Sequence, residues 1–337
     1  MSVCASKTSK HQGAALVVAL LITALVAVIG VRMGNEYQLT LRRSSNVIYS
    51  DQILLYLYSA ESIAKQLLLA DIDKDMDYRG EAWAEEYPPV PIGQGLLAAQ
   101  PMQDLQGRFN LNSLRNKTVN ADPNAQQQLT DNQEMFIRLL LTFSEIVSDE
   151  AQASAIMQAV VDWLDEDEGP TGFDGAEDPY YAQLDVPYRT PDVLMSSVSE
   201  LRLVKGVTAE LYRQLEPHVT VLDVEFNEVN INTATKNVLQ AVAYDDGTKL
   251  KPLPSGEIES YLQEIDPAVG LDKKSIKGFA PWNRLDIESN ENIVAQSDYF
   301  AISGLAKLGE ISIPMRSVLR VDDNDKVTVL SRSTGSL

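Results

Sequence analysis

The sequence contains very little cysteine and histidine. Its one cysteine, Cys4, precedes every globular segment of the 337-residue chain, so no disulfide can cross-link the globular part. Of the two histidines, His11 lies near the N-terminus and His218 stands alone. A zinc site, which needs several histidine or cysteine ligands, is therefore not expected, and neither is a Ser–His–Asp triad.

Basic residues are also scarce. The chain has 28 Lys and Arg against 48 Asp and Glu, which gives a formal net charge of −20. Binding to a nucleic-acid backbone or to anionic lipid heads depends on cations that meet phosphates. The charge balance therefore argues against both partners, and it fits solubility, cation binding or a basic partner. With 45% hydrophobic residues, the chain can still bury the core of one large or two modest domains.

A long apolar run follows the N-terminal residues. Residues 14–31 contain no charge and no proline. As a helix, this run is roughly 27 Å long, which is just enough to cross the hydrocarbon core of a membrane. Lys7 and Lys10 precede it and favour a cytoplasmic N-terminus.

Three interpretations of this run are open. A cleaved signal peptide needs small residues on the far side of the run, and the stretch VAVIGVRMGNE offers no good site. A plain single-pass anchor fits the length. In the third interpretation, Gly13 at the polar–apolar border marks a cut at the cytoplasmic end, and the apolar helix is kept.

The segment around Gly13 resembles the class III signal of type IV pilins and type II secretion pseudopilins. The resemblance implies that prepilin peptidase cleaves between Gly13 and Ala14 and methylates the new N-terminus at Ala14. In that family the fifth mature residue is usually a glutamate, which pairs with the neighbouring subunit as the fibre stacks. This sequence has Val18 there, which suits a subunit at the fibre tip. Among pseudopilins, the large minor pseudopilin K typically lacks the glutamate.

The rest of the chain alternates between helical and strand-like patterns. Helical spacing continues to about residue 70 and predicts one long helix, unless it breaks near Gly34. The motifs NLN at residues 110–112 and NIN at 230–232 follow the period of short strands, and helical patterns lie between them. Three C-terminal segments predict antiparallel strands that pack against the second half of the long helix.

These patterns predict an α+β fold, with a pilin-like long N-terminal helix and a C-terminal antiparallel sheet. A large inserted α-helical domain interrupts it. The predicted parts are a leader at 1–13, the transmembrane half of the helix at 14–31, the periplasmic half of the helix with the first part of the head at 32–115, the inserted helical domain at 116–225, and a second helical region with the C-terminal β part at 226–337.

Carboxylate side chains are concentrated in one acidic loop. Nine carboxylates fall within DWLDEDEGPTGFDGAEDPYYAQLD. They repel one another unless a hard cation binds them, and Ca²⁺ takes six to eight oxygen ligands in loose geometry. The predicted ligands are Asp165, Asp167, Glu177 and Asp178, with Asp174 and Asp192 in reserve. The alternatives are a solvated acidic loop and a glycosidase carboxylate pair, and sparse aromatic platforms disfavour the latter.

The order of GRFNLNSL, the acidic loop, PYRTPD and SVSELRLV resembles the type II secretion protein K family. The resemblance implies a helical domain inserted in a pilin-like fold, with calcium in that domain, and a structural role, not an enzyme. It implies a single-pass inner-membrane protein whose head is periplasmic. Its implied partners are minor pseudopilins I and J and other pseudopilins, in a tip complex that starts pseudopilus assembly. The alternatives are a type IV pilus minor pilin and a generic membrane-anchored periplasmic calcium-binding domain.

Overall fold

The computed structural model describes most of the chain. The described residues are 11–70, 75–115, 129–244, 249–285, 287, 290, 292–322, 324 and 326–335, with side chains from residue 14 onward. The first ten residues of the predicted leader, including Lys7 and Lys10, lie outside these ranges.

The first element is one continuous helix, α1, which runs from His11 to Leu69 and has no break at Gly34. Every residue from 14 to 48 is exposed. Beyond that point one face becomes buried, with Ile53 and Leu57 on successive turns. Within the described residues, α1 is the one helix long and apolar enough to span a membrane. The prediction of one long helix is confirmed, and its division into a transmembrane half at 14–31 and a periplasmic half stays a prediction.

The remaining elements alternate between short helices and strands. The strands are β1 (Val90–Ile92), β2 (Gly95–Ala99), β3 (Gln103–Asp104), β4 (Phe109–Asn110), β5 (Val219–Thr220), β6 (Val229–Asn230), β7 (Ile293–Val294), β8 (Tyr299–Leu308), β9 (Ile311–Val321) and β10 (Val327–Thr334). The helices are α2 (Asp131–Leu141), α3 (Glu150–Leu164), α4 (Asp178–Tyr181), α5 (Ala209–Leu215), α6 (Lys236–Ala241) and α7 (Ser255–Glu264). Short 3₁₀ helices lie at Ala82–Ala84, Leu111–Arg115, Val198–Leu203, Glu216–His218, Ser275–Gly278 and Trp282–Arg284.

An antiparallel sheet forms the C-terminal part of the head. Its order is β1–β2–β8–β9–β10, and β3 also pairs with β8. The β8–β9 hairpin reverses at Gly309, whose φ of +60° favours glycine. The three predicted C-terminal strands are thus confirmed as β8, β9 and β10. Together with α1 and the intervening helices, they confirm the α+β class.

The second half of α1 packs on one face of this sheet. Ile53 and Leu57 share an apolar cluster with Met315, and further along the helix Ala64 and Leu68 share one with Leu319 and others. These clusters are the hydrophobic part of the helix–sheet interface.

Glu61 lies between those two clusters and is buried. Its carboxylate accepts hydrogen bonds of 2.7 and 2.9 Å from the Arg332 guanidinium and of 2.8 Å from Ser317 Oγ. Burial raises the pKa of Glu61, but the bonds from Arg332 and Ser317 outweigh burial, so its pKa lies below the ordinary value. The ionised carboxylate therefore ties α1 to β9 and β10.

The helices between the sheet strands share one large core. Its buried residues extend from Phe109 to Ile293 and include Leu139 of α2 and Leu239 of α6. The predicted boundary between residues 225 and 226 therefore falls inside a single hydrophobic cluster. Two short parallel strand pairs, β4–β5 and β6–β7, close this region against the sheet.

The asparagines of the two motifs hold the ends of these short strands. Asn110 Nδ2 donates to the carbonyls of Val224 and Phe226 at 2.8 and 2.9 Å. Asn230 Nδ2 donates to Asp104 Oδ2 at 3.1 Å, and Ser297 Oγ donates to the same carboxylate oxygen at 2.7 Å. These bonds join the helical region to the sheet.

Replacing Glu61 with alanine is expected to lower the free energy of unfolding by about 2 kcal/mol, because the buried Ser317 hydroxyl and the exposed Arg332 guanidinium lose their acceptor. Urea unfolding of the full-length protein in detergent measures this change. Glu85 is exposed and serves as the control, since Glu85→Ala is expected to leave unfolding unchanged. Equal unfolding free energies for the two variants would contradict this role of Glu61.

Candidate metal centre

The acidic loop begins where α3 ends and folds back onto the last turns of that helix. Asp162, in the last turn of α3, is fully buried. Its two carboxylate oxygens accept hydrogen bonds from the backbone N–H groups of Thr171 at 2.8 Å and Ala176 at 2.6 Å. One turn earlier, Gln158 Oε1 accepts a 2.8 Å bond from the Asp174 N–H. Side chains of α3 therefore hold the loop at three points.

Glycines allow this close approach of the loop to the helix. A β-carbon at position 175 would collide with the Asp162 carboxylate. Gly172 adopts a φ of +65°, which L-residues with side chains rarely adopt. The glycines that mark this stretch as a loop in the sequence are thus required by its packing.

Three of the four predicted ligands come together beside this loop. One carboxylate oxygen from each of Asp165, Asp167 and Glu177 lies within 4.8 Å of the others. Asp165 and Glu177 are buried, and Asp167 is exposed. Asp165 directly follows the end of α3, and Glu177 immediately precedes α4. The ends of two helices thus converge on one point.

Asp192, one of the two reserve ligands, is close enough for its charge to raise the pKa of Glu177, although its carboxylate is not among the three that meet within 4.8 Å. It has a φ of +52°, which is uncommon for a residue with a side chain. Among the described residues, no donor bonds to the buried Oδ1 of Asp192 or to the buried Oε1 of Glu177. Both oxygens are therefore available to a cation.

The electrostatics of the group are strongly unfavourable without a cation. Burial, followed by the charges of Asp162, Asp165, Asp192 and Asp167, raises the pKa of Glu177 to about 7. A cation among these oxygens would favour the ionised carboxylate and reverse that shift. The donor set consists of oxygen alone, which suits a hard cation such as Ca²⁺.

The other two candidates have different surroundings. Asp178 Oδ1 accepts hydrogen bonds from the N–H and Oγ1 of Thr190 at 3.0 and 3.1 Å, and Oδ2 lies 3.7 Å from Arg189 Nε. Asp174 is exposed, and its carbonyl accepts a 2.9 Å bond from Lys205 Nζ. Among the residues that the structure describes, neither joins the carboxylate group around Glu177.

The organising role of Asp162 was not predicted. In the sequence it is one acid among nine. Only its position on the inner face of α3, between the buried Val161 and Trp163, distinguishes it. Such a buried acid must find donors, and the nearby loop supplies them.

The predicted processing residues lie at the start of α1. Gly13 and Ala14 belong to its first turn, and Val18 is exposed one turn later. Cleavage between Gly13 and Ala14 and methylation of Ala14 stay predictions.

Replacing Asp162 with alanine is expected to lower the free energy of unfolding by about 3 kcal/mol, because two backbone N–H groups lose their acceptor. Hydrogen exchange at the Thr171 and Ala176 amides should accelerate in the variant. Asp185 is an exposed acid of the same loop, and Asp185→Ala is the control. Unchanged protection of both amides in the Asp162 variant would show that this carboxylate does not hold the loop.

Comparisons with known proteins agree with this architecture. The family model of type II secretion system (T2SS), protein K, matches residues 107–224, which include the acidic loop. Type II secretion system protein K of Aeromonas hydrophila is 30% identical over 97% of this chain and 98% of its own length. The protein K of Pectobacterium carotovorum is also 30% identical, over 97% of both chains.

A solved structure shares the fold. A chain of the GspK-GspI-GspJ complex from the enterotoxigenic Escherichia coli type 2 secretion system superposes with a TM-score of 0.72. The match covers 88% of this chain and 100% of that chain, at 24% identity. The near-complete coverage of the relatives includes the long helix, the helical region and the sheet. The chain therefore belongs to the type II secretion system protein K family.

Proposed function

We propose that this minor pseudopilin sits at the tip of the type II secretion pseudopilus, starts its assembly and so supports export of folded proteins across the outer membrane. The observation that carries the proposal is α1, which is exposed from residue 14 to 48, including the apolar run at 14–31, while its second half is fixed to the head. The proposed role is structural and not catalytic.

The uncovered half of α1 serves in two environments in this proposal. It first holds the chain in the inner membrane, with the N-terminus cytoplasmic and the head periplasmic. Prepilin peptidase then cleaves between Gly13 and Ala14 and methylates Ala14, and the same apolar surface enters the fibre core. Val18 offers no carboxylate to the N-terminus of a neighbouring subunit, which supports a position at the tip.

We further propose minor pseudopilins I and J as direct partners, together with contacts to the other pseudopilins of the fibre. Support comes from the family and from the solved relative, which belongs to a GspK-GspI-GspJ complex. The alternatives are a minor pilin of a type IV pilus and a generic anchored periplasmic domain.

We also propose that Ca²⁺ binds in the acidic loop, held by Asp165, Asp167 and Glu177 with Asp192 as a fourth ligand. Support comes from the buried Oε1 of Glu177 and the buried Oδ1 of Asp192, which accept no hydrogen bond from the described residues. Burial and the neighbouring carboxylates, which raise the pKa of Glu177, add to this support. The bound ion neutralises the cluster and cross-links the end of α3 to the start of α4. It does so in a globular part without disulfides, since Cys4 is the only cysteine.

The partner proposal predicts that the chain, purified from inner membranes under mild conditions, carries the minor pseudopilins I and J with it. Deleting its gene should abolish type II secretion, and the wild-type gene should restore it. Co-purification with type IV pilus subunits would favour a role as a minor pilin of a type IV pilus. A protein that purifies without these partners, together with unchanged secretion, would favour a generic membrane-anchored periplasmic calcium-binding domain.

The calcium proposal predicts that Glu177→Gln weakens Ca²⁺ binding by at least about tenfold, because a buried anionic ligand is lost. Isothermal titration of the full-length protein in detergent measures this affinity. Asp178→Asn is the matched control, since Asp178 is bonded to Thr190 and should leave affinity nearly unchanged. Chelation with EDTA should lower the melting temperature of the wild type. Absence of binding, or equal weakening in both variants, would favour the solvated-loop alternative.

A further inference from the structure

Phe173 is the most exposed large apolar side chain of the head. Its side chain and backbone are 98% accessible to solvent. It lies in the loop that Asp162 and Gln158 hold against α3, between the bonded residues Thr171 and Asp174. The residues on either side are fixed, since Gly172 packs against Gln158 and the Asp174 carbonyl accepts a bond from Lys205 Nζ. A loop bonded at so many points thus displays an aromatic ring to water.

One other partly exposed aromatic side chain lies close to Phe173. Lys205 connects the two, because its Nζ contacts the carbonyl of Asp174, the residue after Phe173, and lies 5.0 Å from the ring centroid of Tyr180. Tyr180 is 40% exposed. We call Phe173 and Tyr180 the Phe173 surface. Exposed apolar groups that lie together mark interaction sites more often than isolated ones do.

The charge around the Phe173 surface limits what can cover it. The exposed carboxylates of the same loop are Asp167, Glu168, Asp174 and Asp185, together with Glu166, which is paired with Arg115. The central cation, Lys205, is already engaged with the Asp174 carbonyl and the Tyr180 ring. A second copy of this chain would bring the same negative charges, and an anionic membrane would repel them as well. A basic polypeptide surface complements them.

We propose that the Phe173 surface docks a different protein, which presents an apolar pocket for the Phe173 ring bordered by Lys and Arg side chains. The aromatic ring is the anchor, and the surrounding carboxylates select the partner and orient it. The bonds that hold Phe173 in place come from the protein itself; a calcium ion at Asp165, Asp167 and Glu177 would neutralise Asp167 but leave the charges of Glu168, Asp174 and Asp185.

The first test places a photoreactive p-benzoylphenylalanine at position 173 of the full-length chain in secreting cells. Cross-linked peptides are then identified by mass spectrometry. The expected product is a peptide of another protein, from a surface where Lys and Arg outnumber Asp and Glu. The same probe at Val269, which is 57% exposed outside this loop, is the control. Cross-links to lipid or to a second copy of this chain, or a yield no higher than at Val269, would overturn the proposal.

The second test reverses charges on both sides of the contact. Changing a basic residue of the cross-linked peptide to Glu should reduce the yield by about tenfold, and Glu168→Lys in this chain should restore it. A yield that is insensitive to both changes would overturn the basic-partner assignment.

The third test separates docking from folding. Because the Phe173 side chain is almost fully exposed, Phe173→Ser should leave the melting temperature unchanged while reducing secretion, and Phe173→Leu should retain more secretion than the serine variant. Wild-type secretion by Phe173→Ser would overturn the proposal. Loss of secretion on deletion of the whole gene is a separate result, which tests the pseudopilin role and not this surface.

Discussion

The contact between the second half of α1 and the sheet is the constraint on which the rest of the structure depends. A 59-residue helix whose first half finds no partner in the head must be held firmly along its second half. Apolar side chains supply most of that interface, and Glu61 fixes its register through Arg332 and Ser317. A buried carboxylate that missed these donors would be costly. The helix therefore cannot slide along the sheet, and its apolar half projects from one defined position.

Three buried carboxylates each join two parts of this protein. Glu61 joins helix to sheet, Asp104 joins sheet to helical region, and Asp162 joins helix to loop. Each is surrounded by hydrogen-bond donors, which offsets the cost of removing a polar group from water. The cluster around Glu177 differs: backbone N–H groups bond to Asp165 and Asp167, but burial and the charges of four neighbouring carboxylates raise the pKa of Glu177, whose buried Oε1 accepts no hydrogen bond from the described residues. That contrast is the physical reason for assigning a cation to this cluster alone.

Local patterns predicted the elements well, and distant contacts were harder to predict. The long helix and the C-terminal strands follow from periodicity, which depends on near neighbours. The boundary at residue 225 could not reveal that α2 and α6 share a core, because that contact forms only in three dimensions. Likewise, spacing alone could not tell that Asp178 binds Thr190 while Asp192 approaches Glu177. The metal-ligand assignment itself stays a prediction.

The central claim is that α1 is both a membrane anchor and the processed N-terminus of a fibre subunit. Its most direct test is the intact mass of the protein purified from inner membranes of cells with and without prepilin peptidase. We expect a chain that begins at Ala14 and carries one additional methyl group, and we expect to find it only when the peptidase is present. An unprocessed N-terminus in both strains would contradict the account and leave an ordinary membrane-anchored protein.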